Sequence, residues 1–83
     1  MEVFHETEIL YPNPARDRVQ LRLETQGQYQ VRVFNAMGLV VRRHIVSGSP
    51  AVLDVSALNA GLYWVEVADD QGDVVHKQSW IKL

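Results

Sequence analysis

The chain has 83 residues, 47% of them hydrophobic and 22% charged, a globular composition with room for one domain and one core. It contains no cysteine, which excludes a disulfide framework and a thiolate metal site. Eight basic and ten acidic residues give a net charge of −2, which argues against a general nucleic-acid binder, because that function needs a basic face.

Residues 1–8 read as a linker or an edge strand. Met1-Glu2-Val3-Phe4-His5-Glu6 lacks the basic region followed by an apolar stretch that marks a signal peptide, and Met1 reads as the start of a piece of something longer. No run in the chain approaches the roughly 18 apolar residues of a membrane span. Pro12-Asn13-Pro14 cannot continue a strand ladder, since each proline removes a donor and restricts the residue before it. After it the dominant period is two. Val19, Leu21 and Leu23 alternate with Gln20, Arg22 and Glu24, and Tyr29, Val31 and Val33 alternate with Gln30 and Arg32, which predicts half-buried strands.

Leu39 to Val46 predicts a fourth, denser strand whose facing is ambiguous, and Ala51 to Val55 a short one. Arg42, Arg43 and His44 are adjacent there, but neighbours on a strand point to opposite faces, so the three do not form one patch. Asp54-Val55-Ser56-Ala57-Leu58 turns a corner, and Asn59-Ala60-Gly61 leads into a strong strand from Leu62 to Ala68 with Tyr63, Val65 and Val67 on one side. Tyr63 stands where an immunoglobulin-like domain carries a tyrosine whose hydroxyl bonds back to upstream backbone, with Val65 in place of the cysteine two residues on. The alternative is that an aromatic residue simply favours a strand. Asp73 to Leu83 predicts a long last strand broken by a bulge, because Val75, Ile81 and Leu83 in one phase and Val74 and Trp80 in the other are all apolar. Gln26-Gly27, Met37-Gly38, Ser47-Gly48-Ser49-Pro50 and Asp70-Gln71-Gly72 supply turn chemistry between the strands. The sum is an all-β fold, an immunoglobulin-like sandwich of about seven antiparallel strands, in a single domain over 1–83.

Constellations that carry chemistry are sparse. His5, His44 and His76 lie on three different predicted strands without a second ligand at metal spacing, so they read as exposed strand histidines and no metal or cofactor is expected. Asp69, Asp70, Gly72 and Asp73 lack the twelve-residue ligand spacing of a calcium loop and read as a solvated hairpin tip. The serines at 47, 49, 56 and 79 stand in no nucleophile elbow, and a small sandwich offers little cleft to desolvate a carboxylate pair. No catalytic residue is assigned. Trp64 and Trp80 are the candidate binding surface. With Tyr63 inside, Trp64 faces out, either towards a glycan or over a sheet edge or neighbouring domain.

Leu10-Tyr11-Pro12-Asn13-Pro14-Ala15, Tyr29-Gln30-Val31-Arg32-Val33-Phe34-Asn35-Ala36-Met37-Gly38, Asp54-Val55-Ser56-Ala57-Leu58 with Ala60-Gly61-Leu62-Tyr63, and Lys77 with Ile81-Lys82-Leu83 follow one another in an order that resembles the C-terminal sorting domain of the type IX secretion system, over about residues 9 to 83. Each piece is weak alone; their order and spacing make the match specific. The resemblance implies a seven-stranded immunoglobulin-like sandwich that is substrate and address label rather than enzyme. It would be the last module of a larger exported protein of a Gram-negative bacterium. Its partners would be the upstream cargo domain, the outer-membrane translocon and a surface sortase of cysteine-protease type that joins cargo to anionic lipopolysaccharide. Localisation would be periplasmic in transit, then at the cell surface or outside.

The family's Pro-Asn-Pro motif falls on Pro12, Asn13 and Pro14, its Gly-x-Tyr on Gly61 and Tyr63, and its late basic position on Lys77, with Ile81, Lys82 and Leu83 closing the last strand. That strand is expected to be accessible to the translocon, by edge pairing. Trp64 and Trp80 are bulkier than the family pattern, which leaves a docking role for them open. Two other readings compete: a carbohydrate-binding or adhesive module using the tryptophans, and a structural spacer. Sandwich edges also leave room for a homodimer.

Overall fold

The computed structural model describes residues 10–23, 27–48 and 50–83. The segment 1–9 with its expected linker or edge strand and His5, Glu24 and Gln26 before the first turn, and Ser49 lie outside the described residues. Seven strands follow in order: β1 (Leu10–Tyr11), β2 (Arg18–Leu21), β3 (Gln28–Phe34), β4 (Val40–Ser47), β5 (Ala51–Asp54), β6 (Gly61–Ala68) and β7 (Val74–Lys82). They form two antiparallel sheets, β1-β2-β5 and β4-β3-β6-β7. This is the expected immunoglobulin-like sandwich, with the fourth strand placed beside the third rather than beside the fifth, as it is in constant-type domains.

The period-two pattern explains which faces meet. Val19 and Leu21 from β2, Leu53 from β5 and Leu10 from β1 point inward from the small sheet. Tyr29, Val31 and Val33 from β3, Tyr63, Val65 and Val67 from β6 and Trp80 from β7 meet them from the large one. Val55 and Leu58, in the corner between β5 and β6, close the core at one end. A cluster of this kind supplies most of the driving force in so small a domain.

The hairpins β3-β4 and β6-β7 each carry a bulge beside the turn. Val33 pairs with Arg42 but Phe34 with Val40, leaving Val41 extra; Val67 pairs with His76 but Ala68 with Val74, leaving Val75 extra. The bulge expected in the last strand therefore sits at its start. From His76 onward β7 holds one phase, with Gln78, Trp80 and Lys82 inward and Lys77, Ser79 and Ile81 outward.

The first strand changes sheets. Tyr11 pairs with Gln20 in the small sheet, and beyond Pro14 residue Ala15 bridges Lys82 of the large sheet in parallel. A strand that switches sheets at a bend makes a corner of a sandwich, and here that corner is Pro12-Asn13-Pro14.

Candidate functional site

Pro12 and Pro14 have no N–H to donate, so the segment cannot join β7 as an ordinary strand. Asn13 supplies the missing groups from its side chain. Its Oδ1 accepts from the Ile81 N–H at 3.0 Å and its Nδ2 donates to the Ser79 carbonyl at 3.3 Å. One carboxamide thus presents the acceptor and donor that a backbone peptide would present to a strand edge. Ala15 then continues in true backbone pairing, its N–H donating to Ile81 O at 3.1 Å and its carbonyl accepting from Leu83 N–H at 2.8 Å. Both bonds preceding the prolines, Tyr11-Pro12 and Asn13-Pro14, are cis.

Two side chains of β7 reach back. Trp80 Nε1 donates to the Pro12 carbonyl at 3.2 Å, and Gln78 Nε2 donates to the Leu10 carbonyl at 3.1 Å. Trp80 is 1% exposed and its ring lies 5.8 Å from that of Tyr63, tilted by 42°. The expectation of Trp80 as part of an exposed platform is corrected on this point. An indole buried in the core with its N–H satisfied by a backbone carbonyl is in a stable place, and it shares no surface with Trp64.

The other motif residues divide in the same way. Tyr63 donates its hydroxyl to the Asn59 carbonyl at 2.6 Å, so the tyrosine-corner reading is the one realised. Gly61 opens β6 opposite Lys82. Lys82 is buried, with Nζ donating to the Leu83 carbonyl at 3.0 Å; it is not displayed. β7 is an edge strand, but its edge is not bare. From Ser79 to Leu83 its outward groups are engaged by Asn13 and Ala15, and among the described residues only the stretch towards Val74 is left uncovered. The expectation of an accessible last strand is narrowed to that stretch.

Lys77 and Ile81 point away from the core, onto the outer face of the large sheet. Register places Ile81 opposite Leu62, Ser79 opposite Trp64 and Lys77 opposite Glu66; Phe34 and Arg32 of β3 lie on the far side of Trp64 and Glu66. Trp64 is 46% exposed. Phe34, Gly38, Trp64, Glu66 and Lys77 line an open cleft of about 370 Å³. Arg32 donates through Nε at 2.9 Å and through Nη2 to Oε1 of the otherwise buried Glu66, and its guanidinium lies 5.3 Å from the centre of the Phe34 ring. Ala15, Arg32, Phe34 and Leu62 stand inside the quoted motif segments without a site role of their own, and Gln78 and Glu66 stand outside them. Their facing was readable from the alternation on each strand, but not which of them stand opposite one another.

The two described histidines do not converge: His44 is on β4 and His76 on β7, the two opposite edges of the large sheet. His44 is half-buried rather than exposed. Arg42 shares its face and Arg43 takes the other, as their partners Val31, Val33 and Arg32 show. The Asp69 carboxylate accepts from the backbone N–H groups of Gln71 and Asp73 at 3.0 and 2.9 Å, which accounts for that acidic tip as turn chemistry.

Residues 9–82 match the family model described as "Secretion system C-terminal sorting domain". No curated protein matches the chain.

Proposed function

The chain belongs to the secretion-system C-terminal sorting domains of type IX, and from that premise we propose that it is a non-catalytic address label for a larger exported protein. A type IX sorting signal directs export to the cell surface or beyond through the type IX machinery. On our reading the cargo crosses the periplasm, the outer-membrane translocon recognises the domain there, and a surface sortase removes it and attaches the cargo.

The observation that carries this reading is the closure of Pro12-Asn13-Pro14-Ala15 onto Ser79–Leu83. Two motifs at opposite ends of the matched region form one hydrogen-bonded feature on the surface, and no arrangement for bond-making chemistry is needed to explain it. A reporter carrying a signal peptide and this domain tests the reading in a bacterium with a type IX system. The reporter should appear outside the cell, and should stay in the periplasm when the translocon is deleted. Removing Ile81 to Leu83 strips the corner of three of its hydrogen bonds, counting the Leu83 N–H, the Ile81 N–H and the Ile81 carbonyl, and should leave precursor in the periplasm. Normal secretion of that truncation would refute the role given to the closed corner.

A further inference from the structure

The sorting-motif residues separate into those the fold consumes and those it displays. Pro12, Asn13 and Pro14 close the β7 edge, Tyr63 holds the corner before β6, and Gly61 and Lys82 face each other with the lysine buried. Lys77 and Ile81 make no such structural bond with their side chains. Both stand on the outer face of the large sheet, and between them lies Trp64, which β6 also points outward.

Leu62, Trp64 and Ile81 are each close to half exposed, at 45, 46 and 47%. Residues two apart on one strand and opposite each other across strands share a face, so these three form one apolar strip rather than scattered surface residues. Scattered apolar side chains are ordinary on a surface, but a contiguous strip rimmed by charge marks an interaction site. The rim carries more positive than negative charge. Arg43, Arg32 and Lys77 occupy a single cross-strand row with Glu66, whose carboxylate Arg32 already holds. The face is therefore locally basic on a chain whose net charge is −2.

We propose that this face, centred on Trp64 with Leu62, Ile81 and Lys77, is where a component of the secretion machinery grips the domain, and that the partner is a protein surface with an apolar centre and carboxylates at its rim. This rests on the sorting reading above. A half-exposed tryptophan in a shallow cleft is the residue type that dominates interface energetics. A row of cations beside it favours an acidic partner through attraction at the rim and faster encounter.

The experiment compares the parental reporter fusion with Trp64→Ala/Ile81→Ala, with Lys77→Glu, and with Val52→Ala, an exposed position on the other sheet. Purified variants are checked for cooperative unfolding in denaturant with a parental m-value. Lys77→Glu, altering one exposed side chain, keeps the test valid if the double variant does not fold. The expected result is at least a tenfold loss of secreted reporter for the face variants, with Val52→Ala secreted like the parent. Face variants that fold and are secreted like the parent overturn the docking face and leave the sorting reading standing, whereas a parental fusion that is not secreted overturns both. If cellohexaose or polygalacturonate quenches Trp64 fluorescence while the face variants are still secreted, the face is a glycan site and the proposal falls.

Discussion

His44 shows how much one buried atom can set. Its cross-strand partner is Val31, so its ring turns towards the interior at the β4 edge, and Nε2 is closed off from water with no hydrogen-bond partner among the described residues. Burial first, and the neighbouring Arg42 charge second, hold its pKa below the ordinary 6.5. Burial disfavours the charged form. The unfolded chain thus binds a proton more readily than the folded one, and stability rises with pH through this window. The contribution is fully present above about pH 6.5 and is lost as pH falls from there through the lower folded value. Asp54 acts in the same direction but further down. Its carboxylate accepts from the Ser56 hydroxyl and N–H, which lowers its pKa below 3.8, so its share is lost only in stronger acid. Denaturant unfolding at pH 7.5 and pH 5.0 should show the parent weaker at the lower pH and His44→Gln closer to level. An equal fall in both would mean the histidine is not the cause. Alternation alone placed His44 on a strand; the orphaned nitrogen depends on how far the small sheet reaches over β4, which no local pattern encodes.

At the scale of elements, the two hairpins of the large sheet are one device used twice. Asn35 and Asp69 each accept, through the side-chain oxygen, from the backbone N–H groups two and four residues on, and each backbone carbonyl accepts from the glycine three residues on. Gly38 and Gly72 lie at φ +85° and +90°, where an L side chain is strained, and a Cβ at either would meet nothing within 4 Å. Alanine at either position should therefore cost only backbone strain, about 1–2 kcal/mol, read as a lower denaturation midpoint with an unchanged m-value. No loss at either site would show the turn relaxing into another form. These turns were legible because glycine and the Asx residues announce them, and the strands because period two does. The face of Trp80 was not. The extra Val75 resets the phase of β7, and with Trp80 and Ile81 both apolar, alternation fits either choice. Volume and the indole N–H decide it: the ring fills the core beside Tyr63, and the Pro12 carbonyl accepts the hydrogen bond from the indole N–H.

For the molecule as a whole, the corner joins what the sequence holds farthest apart. Asn13 and Ile81 are neighbours only because β1 leaves one sheet and Ala15 arrives in the other. Periodicity marked both motifs and could not pair them, since long-range contact is absent from any local window. A sandwich edge left open is a template for pairing with other chains, and here a side chain covers it where proline forbids backbone. Asn13→Ala removes the acceptor for the Ile81 N–H and the donor to Ser79, while Ala15 keeps its two bonds to β7 and Trp80 keeps Pro12. The corner should therefore stay docked, with the loss confined to one site. At about 1 kcal/mol for a single net hydrogen bond, exchange protection of the Ile81 amide should fall roughly fivefold, with the Leu83 amide unchanged. Asn13→Asp keeps an acceptor for Ile81 but meets the Ser79 carbonyl with a second oxygen, so its protection should lie between the two. Hydrogen exchange followed by NMR resolves these amides separately. Equal loss at Ile81 and Leu83 in Asn13→Ala would mean that the carboxamide, rather than Ala15 and Trp80, holds the first strand against the last. Unchanged protection at Ile81 would mean that Asn13 does not cap that edge in solution.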